Sequence, residues 1–594
     1  MRTLLVTIAA ILVLRCGEPA GPTQTTHGLS VIKDETWTLA TSPHIVQGRL
    51  FVSYGATLTI EAGATVLFDS ASGLTFGSVA SGTVRALGTP DAPVTLRALD
   101  STATPDHWFG FALRSNTVSE LHYVDMSGCG IYYDSLPTGC LVLGSPLHAD
   151  ENPTLLIDHV TVHDARGGAV IVSNDAHFAP GSTTLTVVNM RGYPAQMRAR
   201  EAARFPLGGG FTANDSNEVR LTQDTLRDSV TLAPGVPWTV MNQIVIEGPN
   251  SPVLMIPPGD TILMKGGIVV GYHAPGGLRI GTETGPTAVL RAADTSWGGI
   301  ELLWNTITSS ITNAVLDNCG RVENSWPPNW AGTCISVVGD YNGILPDPAP
   351  VLRHVTMNAL GVGLGLGTGG RLGAGSADLT VIGVSGPSHI FGFGPPISIG
   401  GRSSPSSIPP GSYTGTIRDE IWLTDIQVVR DDTFPNLGLP YVAMFNGISV
   451  GDSTNHPTLT LLPGTTITFA SGSHLLVGRD APGAVRAIGT GAQPITLKGQ
   501  GDRPDAWSGI TIGTSADSST MFEHTLVDQA TDPWFIGAFQ FYKDIGPVIR
   551  HSTISNTAGC AIIIMSQPAW STDFTDAALG NTFTNNAGGA VCGP

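Results

Sequence analysis

The sequence predicts an all-β protein in which one strand–turn–strand unit is repeated three times in tandem. Three observations carry that expectation. The phrase LTIEAGATVLF at 58–68 returns as LMIPPGDTILM at 254–264 and as LTLLPGTTITF at 459–469, at intervals of 196 and 205 residues. Self-similarity at a near-constant interval marks a repeated structural unit. Inside the phrase apolar residues alternate, Leu58 with Ile60 and then Val66 with Phe68, which is the period of a strand with one buried face. The chain also holds 74 Gly and 42 Pro with almost no helical periodicity, as short strands joined by turns require.

Each element follows in order. Gly63, Gly259 and Gly464 separate the two strands of the phrase; in PPG and LPG the Pro suits the second turn position and the Gly the third, where φ is positive. Leu74 and Phe76, then Val84 and Ala86, continue the alternation up to GTPDAPVTL at 88–96, whose third-copy partner is GTGAQPITL at 489–497. WFGF (108–111), WGGI (297–300) and WSGI (507–510) correspond, as do SELHYVDMSGCG (119–130), SSITNAVLDNCG (309–320) and SSTMFEHTLVDQA (518–530). LLIDHVTVHDARGGAV, VLRHVTMNALGVGL and VIRHSTISNTAGCAI close the three copies. The fixed order places units at 28–217, 218–416 and 417–594, the last with a C-terminal cap. Stretches 176–217 and 365–416, rich in Gly, Pro and Ser, read as lateral loops or joints.

Composition narrows the function classes. Charged residues make up 13% of the 594 and hydrophobic ones 41%, so the chain is not disordered. A net charge of −18 without a basic patch argues against nucleic acid as a partner. Arg2 followed by LLVTIAAILVL (4–14) is a short apolar targeting segment, too brief for a bilayer span of about 20 residues. Cys16 follows at once and then a polar tether, 17–27, so that 1–16 looks like a bacterial lipoprotein signal with Cys16 as the lipidated residue; Arg15 departs from the small residue usual there. Export with a lipid anchor in the outer membrane or at the cell surface, or plain secretion, is therefore expected. The six remaining cysteines fit an exported chain. Cys129 and Cys319 hold matching places, each with a second Cys across a short loop, so Cys129–Cys140, Cys319–Cys334 and Cys560–Cys592 are the expected disulfides. Metal binding is the rival, but no CxxC or Cys/His cluster is present.

Taken together, the TLTIEAGATVLF-type phrase, GTPDAPVTL, the WxG strand and the HVTV–AxGGAV segments resemble the right-handed parallel β-helix proteins of bacterial surfaces, the pectate-lyase-like fold. The resemblance covers essentially the whole mature chain. It implies a solenoid of rungs and leaves function open, since the family includes lyases, hydrolases, esterases, adhesins and members without known activity.

Residue patterns for chemistry are sparse. Asp431–Asp432 is the sole Asp–Asp pair, at the opening of the third unit, and no Gly-His-Gly is present. Asp125, Asp317 and Asp528 recur at strand ends and read as turn carboxylates accepting backbone N–H bonds; His159, His354 and His551 recur before a strand and read as structural corner residues. The loops beyond each of those Asp residues carry aromatics, Tyr132, Tyr133, Trp326, Trp330, Trp534 and Phe535, which are the candidate glycan-binding residues, with packing as the plainer alternative. No catalytic residue, metal ligand or cofactor is assigned; calcium is compatible with the acidic surface, but no motif points to it. The expected function is a non-catalytic structural, adhesive or glycan-binding protein of the cell envelope, with polysaccharide or surface glycan as partner. The alternative is a polysaccharide lyase or glycoside hydrolase acting in a lateral groove. A cluster of acidic and basic residues confined to one unit would favour the alternative, and the sequence shows no clear one.

Overall fold

A computed structural model describes residues 24–593 apart from 101, 103–104, 132–138, 146–147, 149, 321–331, 383–386, 389–391, 414–417, 532–536 and 566–569. The protein is an all-β parallel β-helix, a solenoid of short strands with only four brief 3-10 turns among the described residues. The chain divides into two compact units, residues up to 197 with 204–218, and residues 198–203 with those from 219 onward. The second unit carries both later copies of the repeated phrase. No helix among the described residues is long and apolar enough to cross a membrane.

In the first unit one ladder stacks Thr65–Phe68, Val94–Ala98, Val118–Ser127, Thr154–His163 and Thr183–Val188. A second stacks Arg49–Val52, Gly73–Phe76, Phe111–Leu113, Gly139–Leu143 and Arg166–Val172. In the second unit the corresponding ladder runs through Ile244–Ile246, Ile268–Val270, Ile300–Leu302, Thr333–Val338, Val362–Gly367, Ile397–Gly400, Ile421–Val428 and Tyr441–Val450. It continues through His474–Val477, Ile510–Ile512 and Gly537–Phe541. All these pairings are parallel, and the register holds throughout except for a shift between Thr424 and Ile426. Strands of neighbouring rungs lie about 4.8 Å apart, so each backbone donor and acceptor is satisfied by the rung above or below.

Alternation does what the sequence predicts. Leu58, Ile60, Val66, Phe68, Val84 and Ala86 are all fully buried. Gly63, Gly259 and Gly464 have φ of 77°, 82° and 81°, the left-handed turn that a side chain would strain. The WxG tryptophans anchor the rungs. Trp108, Trp297 and Trp507 are buried, and each pairs in parallel with the position that ends the neighbouring strand, Cys129, Cys319 and Ala530. Each indole N–H donates to a strand-end carbonyl, that of Ser127 at 2.8 Å, Asp317 at 3.0 Å and Asp528 at 2.9 Å. Phe68 and Phe469, the last residues of the repeated phrase, stack on Trp108 and Trp507 at 3.7 and 4.1 Å between ring centroids.

Because the indole both fills the interior and satisfies a carbonyl, Trp507→Phe should lower unfolding stability by about 1–3 kcal/mol without changing the strand content. Denaturant unfolding followed by circular dichroism measures it, and an unchanged midpoint would show that the anchor is redundant.

Candidate functional site

The cysteines form three disulfides, Cys129–Cys140, Cys319–Cys334 and Cys560–Cys592. Such crosslinks belong to a chain that folds under oxidising conditions. Cys16 and the aromatics Tyr132, Tyr133, Trp326, Trp330, Trp534 and Phe535 lie outside the described residues. The outward face of the ladder that carries the WxG strand holds the candidate site.

Register aligns outward side chains of successive rungs into lanes. In the first copy the lane is Phe51, Thr75, Ala112 and Val142. Its floor opens into a trough of about 310 Å³ that also involves Arg49, Phe109, Arg114, His148 and Glu151. The Arg49 guanidinium lies 4.2 Å from the centre of the Phe109 ring. Arg114 donates to the Gly144 carbonyl at 2.5 Å and pairs with Glu151 at 3.4 Å. Burial disfavours the Arg114 charge, and Glu151 counters it. The third copy repeats the lane with Ser449, Leu476, Thr511 and Gln540 and holds a second trough of about 210 Å³ rimmed by His474, Arg479 and Tyr542. Each trough thus offers flat or apolar surface beside hydrogen-bond donors, the mixture that a sugar ring requires. Glu151 is the one carboxylate among the described lining residues of the two, and it is committed to Arg114. Two carboxylates flanking a bond, the apparatus of glycoside hydrolysis, are not assembled by these residues. The run Gly447-Ile448-Ser449-Val450-Gly451 has the spacing of a nucleophile elbow, but its Ser449 lies within the ladder strand Tyr441–Val450 and no helix follows, so the sharp strand-to-helix turn an elbow needs is missing.

In the middle copy the same lane is Val245, Val269, Glu301 and Ser336, and it is closed. Val269, Leu303 and Val338 form a buried outer cluster against Val245, Tyr272 and Trp304. Glu301 Oε2 and the Ser336 hydroxyl are sealed from solvent without a hydrogen-bond partner. Burial pushes the Glu301 carboxyl up to about 7.

Stacking also assembles a charged corner that the sequence reading missed. In the first unit Glu120, His122, Asp125, Asp158, His159, His163 and Asp164 share the outer side of strands Val118–Ser127 and Thr154–His163. His163 donates to Asp125 at 3.0 Å and to Asp164 at 2.7 Å, and these carboxylates raise it to about 9. Asp158 loses solvation by burial, but bonds with Thr183, His159 and His122 outweigh that and hold its carboxyl low. The inter-rung partners, His163 with Asp125 and His122 with Asp158, lie tens of residues apart, so no local motif announced them. Each acid is already committed to a neighbour, which makes the corner a satisfied ion ladder. Among the described residues no group of three or more His, Cys, Asp or Glu is disposed to hold a metal ion.

The recurrent residues now have roles. Asp125, Asp317 and Asp528 accept from side chains of the next rung: His163, Asn358 at 3.1 Å, and Ser555 with Asn556 at 2.7 and 2.8 Å. The expected backbone donors are replaced by an inter-rung ladder. His159, His354 and His551 stand at the corner with φ of 56°, 53° and 46°. Contacts along the corner offset that left-handed backbone: His159 meets Asp158 and the Tyr123 ring, His354 meets Asp378, and His551 stacks on His524.

No family model matches the chain, and comparison with curated proteins and with solved structures found no match either.

Glu301 makes stability depend on pH. Between its ordinary value of 4.5 and about 7 only the folded chain keeps the proton, so stability falls as pH rises through that window and levels off above it. Glu301→Gln should therefore gain stability over the wild type at about pH 8, on the order of 2–3 kcal/mol, and little near pH 4. Thermal unfolding of both proteins across pH checks this; parallel curves would mean that folding does not shift the Glu301 carboxyl.

Proposed function

We propose that this is an exported cell-envelope protein that binds polysaccharide without cleaving it, through the outer troughs of its β-helix. The observation that carries the reading is the 310 Å³ trough of the first unit, where Arg49 lies over Phe109 next to the exposed Phe51 and polar His148. Aromatic faces give a sugar ring apolar area, and arginine and histidine add donors or charge. The commitment of Glu151 to Arg114 supports binding over hydrolysis. The disulfides and the apolar N-terminal segment support export, and Cys16 is the residue that lipid would modify.

Incubation with acidic and neutral polysaccharides, with and without calcium, should yield binding but no new reducing ends and no unsaturated products. Turnover of any of them would overturn the non-catalytic reading. Phe51→Ala and Arg49→Gln should each weaken binding by about fivefold, the effect of roughly 1 kcal/mol, with the fold intact. Cys16→Ser should shift the protein from the membrane fraction to the soluble one; a wild type that is already soluble would leave secretion as the route.

A further inference from the structure

The second unit carries a separate feature that glycan binding in the troughs does not use. Beyond the ends of strands Val362–Gly367, Ile397–Gly400 and Ile421–Val428, three consecutive rungs each contribute one arginine: Arg371, Arg402 and Arg430. All three line one small pocket, together with Ser403, Ser404, Gln427, Asp347 and Asp432. Two of the guanidiniums are spoken for. Arg430 pairs with Asp347 at 2.8 Å, and one Arg402 nitrogen donates to the carbonyls of Asp340 and Tyr341, each at 2.9 Å. Arg371 is different. It makes no ion pair among the described residues, and its Nε is sealed from solvent without a hydrogen-bond acceptor. Of the two carboxylates, Asp432 is engaged by Ser404, Ser406 and the Thr433 amide, and its burial favours the neutral form.

Positive charge is thus in excess where the fold stacks it rung on rung. Arginine cannot shed its proton, so the excess cannot be relieved by titration. Like charges on neighbouring strands repel, and a buried charged donor lacking an acceptor carries a penalty beyond that of a neutral one. An oxyanion in the pocket offsets the repulsion, because its oxygens accept from several guanidinium N–H groups together. The pocket is about 30 Å³, room for two or three oxygens where a single water needs about 10–15 Å³, so it holds both oxygens of a carboxylate or part of a tetrahedral oxyanion.

We propose that the pocket of Arg371, Arg402 and Arg430 is a binding site for one small oxyanion group, a carboxylate, sulfate or phosphate. The Arg371 guanidinium, which makes no ion pair among the described residues, is its central donor, and Arg402, Arg430, Ser404 and Gln427 line the pocket with it. On a chain of net charge −18 the long-range field repels anions, so recognition is a short-range matter of these donors.

Titration of the full chain with inorganic sulfate and phosphate against chloride, at constant ionic strength, tests the site by calorimetry and thermal unfolding. One site and a rise in unfolding temperature specific to the oxyanions are expected. Arg371→Gln should weaken binding at least tenfold, and Arg371→Lys should recover part of it. Sulfated, uronate-bearing and neutral oligosaccharides run in parallel separate a free ion from an oxyanion borne on a sugar: tighter binding of one charged oligosaccharide than of the inorganic ions names the polymer as source, and equal binding names the ion. No oxyanion-specific stabilisation, or an Arg371→Gln protein identical to wild type, overturns the proposal. Should Arg371→Gln not fold, crystals of the wild type soaked in selenate decide: an anomalous peak beside Arg371 is expected, and none at saturating selenate overturns the site.

Discussion

Register is the constraint from which the rest of this structure follows. Parallel strands that pair residue for residue place each side chain directly over its counterpart one rung away. Inward, that produces apolar lanes such as Leu58, Val84 and their neighbours, which supply the burial that stabilises a solenoid. Outward, the same register forces whatever residues occupy a position to face one another. The Asp317–Asn358 bond and the lanes that floor the troughs are products of that rule, and the His163–Asp125 pair lies diagonally to it, since Asp125 is registered with Thr161.

This rule also explains what could be read from the linear sequence. Strand alternation, the left-handed glycines and the cysteine partners are local or sit at repeated offsets, so Gly63, Gly259 and Gly464 announced their turns and Cys129 its partner Cys140. Lanes are not local. Phe51, Thr75, Ala112 and Val142 are neighbours in space, but the rungs between them differ in length because loops of different size leave each corner. Without the register the spacing carries no period to detect, and a lane of functional side chains resembles scattered surface residues. Arg371, Arg402 and Arg430 escaped notice for the same reason. The recurrent histidines were legible as corner residues because they recur at one offset, but their partners Asp158, Asp378 and His524 were not.

The copies diverge where divergence costs least. Trp108, Trp297 and Trp507 keep both burial and the indole bond, since losing either opens a cavity and strands a carbonyl. The outer lane answers to no such demand. In one copy it is an open trough with Arg49 over Phe109, in another it is roofed by Tyr272 and Trp304, and in the last it has a polar floor of Thr511 and Gln540. Closing the middle lane left Glu301 with a carboxyl that its surroundings cannot solvate. That is the kind of local conflict expected when a face once open to water is covered without replacing the residue beneath.

A solenoid therefore separates stability from recognition more cleanly than a compact globular fold does. In a globular core one substitution is felt by packing partners on every side. Here inward and outward residues alternate along one strand, so an outward change alters a lane without touching the ladder that holds it. The backbone bonds between rungs supply a rigid ruler, and side chains are spaced along it at the strand separation of about 4.8 Å. Just beyond the strand ends the same stacking brings one arginine from each of three successive rungs to one pocket. The ruler favours extended or multiply charged partners whose groups repeat at a comparable distance. It is the rung-by-rung choice of outward residue, and not the fold itself, that decides which of them is held.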